Sequence, residues 1–371
     1  MKCPVRYAWH YLRSGWSRSL LTMACVALCT VLATFLLSVY RGVSDGTLEY
    51  IRANRCDLWV LQDGTTNIVR GSSLLPAAGR SFLESLEGVT SASPILLTLA
   101  VVHRLDREGT VYLVGYDPGA PLGGPPRLTE GRSVRRDQEI VLDRCFARKY
   151  HLAVGDTVTI NEQALTVTGI ADGTNAFVVQ YAFVTLSMAR HLVGDLPMAS
   201  AYLVSLSDPA RVDSVNTRLL NAPIKVNIFT HDQFIRNNRR EMQSGFLPFI
   251  VAVCVITVGV LIAILSLLLS MMVMEQRADY AVMKTIGAPA GFLPGLVLQV
   301  AGLVAAVGIS AGILLFFPVA LLVRQIAPEL TTITTPLELA RIGAAVGAAC
   351  LLSALLPLRK LHTIYPTEAF Q

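Results

Sequence analysis

Charged residues are scarce in this sequence. Only 15% of its 371 residues are Asp, Glu, Lys or Arg, whereas 53% are apolar and the mean hydropathy is +0.53. Soluble globular domains carry about 25% charged residues. The composition therefore favours a protein that resides in a membrane.

The sequence also lacks the common nucleotide-binding and metal-binding patterns. It has no Gly-x-x-x-x-Gly-Lys-Ser/Thr loop, whose backbone amides would hold a nucleotide phosphate. Its six histidines form no His-x-x-x-His pair and its seven cysteines form no Cys-x-x-Cys pair, so metal-ligand spacing is absent. We therefore expect no catalytic residue, no metal site and no cofactor in this chain.

Long apolar runs, in contrast, are present. A membrane-spanning helix needs about 20 apolar residues, and four runs meet this length: Ser19–Tyr40, Phe246–Met274, Phe292–Val323 and Leu339–Leu358. The first run is too long for the apolar part of a signal peptide, which has about 7–15 residues. No run carries an ionisable residue in its interior, which argues against an ion-driven transporter because such carriers need one.

The charge distribution predicts the orientation of these spans. Residues 1–18 carry four basic and no acidic groups, whereas the long segment 41–245 carries 21 of each. Basic segments favour the cytoplasmic side, so we expect cytoplasmic N- and C-termini and an external segment 41–245. The net charge of +5 then reflects topology and does not indicate nucleic-acid binding.

The predicted fold is a four-helix membrane protein with a large α+β extracytoplasmic domain between the first two helices. The domain mixes strands and helices without regular alternation, a Pro/Gly-rich stretch at 117–126 divides it into two lobes, and stalk helices flank it. Glu139–Tyr150 is predicted as a helix. The full order is an interfacial amphipathic helix 1–18, spans 19–40, 246–274, 291–323 and 339–358, the external domain 41–245, a cytoplasmic helix 275–290, a short external loop 324–338 and a cytoplasmic tail 359–371.

Two cysteines, Cys56 and Cys145, fall in the predicted external segment. An oxidising compartment permits a disulfide between them. The sequence does not give their separation, on which pairing depends, so the free and paired states both stay open.

The segment between the second and third spans is the most distinctive in the chain. Residues 275–288 (EQRADYAVMKTIGA) mix charged and apolar side chains as an amphipathic helix does. Gly287 favours a helix end, and Pro289 follows where a helix cannot continue. The alternative is a plain connector between two spans.

This segment resembles the cytoplasmic loop of MacB/FtsX-type permease subunits of ABC transporters. Residues 282–288 (VMKTIGA) match that family's loop, and Pro366, Glu368 and Ala369 resemble its closing motif. Residues 154–158 (VGDTV) resemble a turn of its external domain. Gln276, Ala278 and Ala281 depart from the common pattern, and the chain is most similar to the DevC-like branch.

The resemblance implies a set of partners and a mechanism. A separate cytoplasmic ABC ATPase would bind ATP and Mg²⁺ and contact the loop. The chain would pair with a second permease copy in the lipid of a bacterial inner membrane. The resemblance leaves open whether a periplasmic membrane-fusion adaptor and an outer-membrane channel are further partners. ATP hydrolysis would move the periplasmic domain and drive export or extraction of a lipid, peptide or hydrophobic small molecule by mechanotransmission. The implied loop contacts are polar at Glu275, Arg277, Asp279 and Lys284, apolar at Tyr280, Met283 and Ile286, with Gly287 ending the helix.

Two other functions are compatible with these residues. The first is an ATPase-driven transmembrane regulator of a cell-wall hydrolase, or a peptide sensor of the same mechanical type. The second is a ligand-sensing receptor without an ATPase. A partner ATPase distinguishes the receptor from the other functions, and an adaptor favours export over regulation.

Overall fold

The computed structural model describes residues 16–68, 71–105, 107–175, 179–220, 225–275, 292–330 and 332–355, and the chain forms two compact units. The first, here called the helical unit, comprises residues 1–40, 248–325 and 332–371. The second, the sheet unit, comprises residues 41–247 and 326–331. Each unit has its own core.

Four long helices carry the apolar runs. Helix α1 is Trp16–Ala53, and three further long helices follow the sheet: α6 (His231–Glu275), α7 (Phe292–Ile326) and α8 (Pro336–Ser353). Each contains a segment long and apolar enough to cross a membrane: Ser19–Gly46, Leu247–Met271, Pro294–Ile326 and Pro336–Ser353. Their facing side chains, including Val26, Leu265, Val304 and Val346, form the core of the helical unit.

Helix α8 begins earlier than the apolar run that predicted it. Pro336 occupies the first helical turn, where its missing N–H costs nothing. The Glu338 carboxylate accepts hydrogen bonds from the backbone N–H and the hydroxyl of Thr335, each at 3.0 Å. These residues begin the helix at Pro336. Hydropathy alone does not detect them because they are not apolar, and it therefore predicts a start at Leu339.

The sheet unit is built on one ten-stranded sheet. Its order is β12-β1-β11-β3-β4-β9-β6-β8-β5, and β7 pairs with β3 and β8. A two-stranded ladder of β2 and β10 lies apart from it. The strands are β1 (Leu58–Gln62), β2 (Leu75–Pro76), β3 (Val89–Arg104), β4 (Arg107–Tyr116), β5 (Arg127–Gly131), β6 (Glu139–Asp143), β7 (Thr157–Ile160), β8 (Gln163–Asp172), β9 (Gln180–Thr185), β10 (Met198–Ala199), β11 (Ala201–Leu206) and β12 (Val226–Thr230).

Short helices connect and cover these strands. They are α2 (Gly79–Glu84), α3 (Arg144–Tyr150), α4 (Leu186–Leu192) and α5 (Val212–Leu220). The sheet continues on both sides of residues 117–126, because β4 before this stretch and β5 after it belong to the same sheet. The Pro/Gly-rich stretch therefore does not interrupt the sheet.

The helix predicted for Glu139–Tyr150 is wrong in its first half. All five residues of β6 are buried, and the strand pairs in parallel with β8 and antiparallel with β9. Asp143 ends the strand and caps α3, since its carboxylate accepts from the Cys145 N–H at 2.6 Å. A buried strand followed at once by a capped helix shows no alternation of its own, so sequence periodicity could not separate the two.

Candidate functional site

The loop predicted to contact an ATPase follows directly on α6. Its first residue, Glu275, is the last residue of α6 and is exposed. The other predicted contact residues lie outside the described residues: Arg277, Asp279, Tyr280, Met283, Lys284, Ile286 and Gly287. Their contacts therefore stay predictions. The described part of the site consists of the long helices and the contacts that attach them to the sheet unit.

Helix α1 ends inside the core of the sheet unit. Tyr50 is fully buried, stacks on Tyr181 with ring centroids 5.2 Å apart, and donates a hydrogen bond to the Gly123 carbonyl at 2.9 Å. Asn54 accepts a hydrogen bond from the Gly123 N–H at 2.6 Å. Burial raises the pKa of Tyr50 well above its usual value. The C-terminal turns of α1 are thereby fixed by both packing and directional bonds.

Helix α6 begins in the same core. Phe234 is fully buried and stacks on Trp59 of β1, with ring centroids 4.4 Å apart. One turn later, buried Asn238 accepts a hydrogen bond from the Ile68 N–H at 3.0 Å. Aromatic stacking of this kind adds about 0.5–1.5 kcal/mol to the burial itself. The first two turns of α6 are therefore attached to the core of the sheet unit.

Sequence reasoning missed these attachments. The sequence predicts a stalk helix before the second span, and this helix is part of α6, but nothing in its pattern singles out Phe234 or pairs it with Trp59. The signal that was available is the period: Phe234 and Asn238 are four residues apart and lie on one face of the helix. Only the folded structure shows that this face contacts Trp59 and Ile68.

Cys56 and Cys145 of the sheet unit are free thiols in the structure, whereas the sequence left the paired state open. Cys56 is buried beside β1 in the cluster around Trp59. Cys145 lies in the first turn of α3, where Asn175 approaches its sulfur at 3.6 Å. Burial raises the pKa of the Cys145 thiol to about 12 and that of Cys56 above its usual range.

The ion pair between Arg132 and Glu139 of the sheet unit is structural. Arg132 donates to both carboxylate oxygens of Glu139, at 2.8 and 2.6 Å, and the Arg135 N–H donates to Glu139 at 2.7 Å. These bonds stabilise the charged carboxylate and lower the pKa of Glu139 to about 2. The pair closes the turn before β6, so we assign it to stability.

Among the described residues, no group of three or more His, Cys, Asp or Glu side chains could hold a metal ion. Residues 308–312 (GISAG) match the Gly-x-Ser-x-Gly pattern of serine hydrolases. That pattern needs a strand-to-helix turn, whereas these residues lie within α7, so the match is fortuitous.

Comparisons with known proteins find two family models that match this chain. The MacB-like periplasmic core domain matches residues 19–222, and the FtsX-like permease C-terminal domain matches residues 249–366. The solved periplasmic region of MacB from Actinobacillus actinomycetemcomitans shares 16% identity with a TM-score of 0.39, covering 51% of this chain and 96% of that one. The extracellular domain of YknZ from Gram-positive bacteria shares 14% identity with a TM-score of 0.37, covering 47% and 98%.

Whole-length relatives come from mycobacteria. The ABC transporter permease Rv0072 of Mycobacterium tuberculosis (strain ATCC 25618 / H37Rv) is 26% identical over 355 residues, 92% of this chain and 91% of the relative. The ABC transporter permease Mb2592 of Mycobacterium bovis (strain ATCC BAA-935 / AF2122/97) is 26% identical over 357 residues, with the same coverage. The first of the two domains alone covers more than half of the chain. This chain is a multi-pass membrane protein and belongs to the MacB/FtsX family of ABC transporter permeases.

Proposed function

We propose that this permease transmits ATP-driven motion to its sheet unit and thereby exports or extracts a lipid, peptide or hydrophobic small molecule. An ABC transporter permease works with an ATPase subunit, so a cytoplasmic partner is implied by the family itself. The observation that carries the proposal is the continuity of α6. One unbroken helix begins at the buried Phe234 contact, contains the apolar segment Leu247–Met271 and ends at Glu275, where the predicted ATPase-binding loop starts.

A helix attached in this way suits mechanical transmission. The backbone hydrogen bonds of α6 are internal except at Pro248, which omits one, so displacement of one end is passed along the helix. The contacts of Phe234 and Asn238 are made in the first two turns of α6, and α1 is fixed by Tyr50 and Asn54 in the same unit. Motion that starts at Glu275 has a direct route to the sheet.

The proposed cargo is apolar or amphiphilic because the described spans carry few charged residues. Leu247–Met271 contains no charged residue, and in the other three segments the charged residues lie near the ends. Transport of an ion through such helices would require an interior charge or an equivalent set of oxygen ligands. We therefore place the work of the cycle in the sheet unit, on the periplasmic side of the inner membrane, with both termini in the cytoplasm.

We further propose that two copies pair through α1 and α6. Both helices expose large apolar side chains along their apolar segments, among them Leu28, Val255, Ile256 and Leu267, each between 65% and 70% exposed. Such an apolar surface can contact either lipid or a second copy of the chain. Cysteine cross-linking at Ile256, compared with exposed Leu321 on α7, tests the pairing: dimer formation at Ile256 alone supports it, and equal or no cross-linking at both positions contradicts it.

The function is tested by ATP turnover of the complex reconstituted in lipid nanodiscs. Gly287→Pro should abolish permease-dependent ATP turnover while leaving membrane insertion intact, because proline alters the predicted end of the loop helix. Gly287→Asn is the matched control, since asparagine also adopts the left-handed conformation at helix ends, and it should retain turnover. Normal turnover in Gly287→Pro would contradict the role assigned to this loop.

A further inference from the structure

The loop between α7 and α8 is held by a buried asparagine of the sheet unit. Residues 326–331 belong to that unit. Asn175 is only 7% exposed, and its side-chain NH₂ donates a hydrogen bond to the Glu329 carbonyl at 2.8 Å. Within the loop the Leu330 N–H donates to the Ala327 carbonyl at 3.0 Å, so Glu329 lies in a tight turn. A buried amide therefore recognises the backbone of this turn.

The orientation of Asn175 is set by its neighbours. Its side-chain oxygen accepts a hydrogen bond from Gln180 at 3.2 Å, and Gln180 is 3% exposed. The preceding residue, Thr174, is fully buried and donates to the Asp143 carboxylate at 2.5 Å. Buried polar networks of this kind are rigid when every member is paired, so the Asn175 amide is preorganised to bind the loop.

A second contact acts on the same loop residue. Lys149 of α3 forms an ion pair with the Glu329 carboxylate. The hydrogen bond to Glu329 raises the pKa of Lys149, so this side chain stays charged throughout the physiological range. The pair is partly exposed and contributes little alone, about 0–1 kcal/mol. The ion pair adds to the hydrogen bond, because Asn175 binds the backbone carbonyl of Glu329 and Lys149 binds its carboxylate.

Helix α1 meets the same asparagine from another direction. A β-carbon added at Gly46 of α1 would lie 2.3 Å from the Asn175 carbonyl oxygen, closer than real β-carbons approach any heavy atom. The backbone of α1 and the loop before α8 thus both touch Asn175. Neither contact is needed to complete the sheet, whose ladder at this point is only the isolated bridge between Asn175 and Gln180.

We propose that Asn175 is a positioning residue that joins the turn at Glu329 to the C-terminal part of α1 around Gly46, so that both segments move with the sheet unit as one body during the ATP cycle. This inference rests on the proposed function for its purpose. It adds the α7–α8 connection to α1 and α6 as a third segment that follows the motion. The loop is then a working part of the permease and more than a link between two spans.

The static part of the proposal is tested by hydrogen exchange of the full chain in lipid nanodiscs without nucleotide. Asn175→Ala should raise exchange at residues 329–330 about tenfold, because it removes the buried hydrogen bond to the Glu329 carbonyl. Lys149→Glu should raise it about two- to fivefold, and the double variant Lys149→Glu with Glu329→Lys should return it to the wild-type rate. Asn216→Ala, a half-buried asparagine of α5, is the control and should leave the loop unchanged. Wild-type exchange in both Asn175→Ala and Lys149→Glu would overturn the inference.

The moving part is tested by comparing nucleotide-free and ADP–vanadate-trapped complexes with the ATPase. In the wild type, exchange should change together in residues 41–53 and in residues 329–330. In Asn175→Ala and Lys149→Glu, nucleotide should still change exchange in residues 41–53 but should no longer change it in residues 329–330. The charge-swapped double variant should again show the change in both segments. Independent responses of the two segments in the wild type would overturn the inference. If nucleotide changed hydrogen exchange nowhere in the wild type, the proposed function would be contradicted. The nucleotide-free comparison would still test the contact between Asn175 and the loop.

Discussion

Gly308 of α7 lies directly against Val26 of α1: a β-carbon added at Gly308 would come within 2.6 Å of the Val26 β-carbon. One turn later the same relation holds between Gly312 and Thr30, again at 2.6 Å. Both distances are shorter than side chains tolerate, so these two helices approach as closely as they do because both positions are glycine. Small residues four apart commonly allow such contact between membrane helices.

Gly308→Ala and Gly312→Ala should therefore destabilise the helical unit. Overpacking of a well-filled contact costs about 1–3 kcal/mol, and we expect each variant to lower the melting temperature of the purified protein in detergent. Gly302→Ala is the matched control on the same helix, because a β-carbon there meets no atom within 4 Å. Equal melting temperatures for Gly308→Ala and Gly302→Ala would show that the close approach is absent.

Phe234 should be essential for the attachment of α6, since it is fully buried and stacked on Trp59. Truncation of a buried aromatic residue costs about 3–5 kcal/mol, so Phe234→Ala should strongly destabilise the sheet unit. The control is Phe249→Ala on the same helix, where the ring is 65% exposed, and its effect should be below about 1 kcal/mol. Chemical unfolding followed by tryptophan fluorescence reports both. Comparable losses in the two variants would contradict the assigned attachment.

Glu139 should make stability depend on pH in a defined window. Its pKa falls from 4.5 to about 2 in the folded protein because Arg132 and backbone N–H groups hold the charged form. A group with a lowered folded pKa stabilises fully above its unfolded pKa and loses this contribution as pH falls toward the folded pKa. The melting-temperature difference between wild type and Glu139→Gln should thus be largest above pH 5 and shrink between about pH 4.5 and 2. A difference that does not change over this range would contradict the assigned ion pair.

The thiols of Cys56 and Cys145 should be free but slow to react in the folded protein. Both are shielded, and the pKa of Cys145 is raised to about 12, so little thiolate is present at pH 8. Iodoacetamide should label neither residue in the native protein and both after unfolding without reductant, as read from the peptide masses. Labelling that appears only after reduction would show that the two cysteines are paired.

The sequence was informative where composition determines structure. Four runs of apolar residues predicted four spanning helices, because an apolar helix of that length has no other stable environment. It was less informative where partners decide the structure. Residues 139–143 form a buried strand because β8 and β9 flank them, and the run itself is equally compatible with a helix. The contact of Asn175 with Glu329 joins residues 154 positions apart, and that of Phe234 with Trp59 joins residues still farther apart, which no local pattern encodes.

The central claim is that the loop beginning at Glu275 binds an ATPase whose action reaches the sheet unit through α6. The most direct test is co-purification of the full chain with its ATPase subunit in detergent, comparing wild type with Met283→Glu and with the volume-conserving control Met283→Leu. The account predicts a stable complex for wild type and Met283→Leu and its loss in Met283→Glu, because a charge on the predicted apolar face is costly to bury. Retention of the complex in Met283→Glu, or no complex with the wild type, would contradict it, and the latter result would favour a receptor without an ATPase.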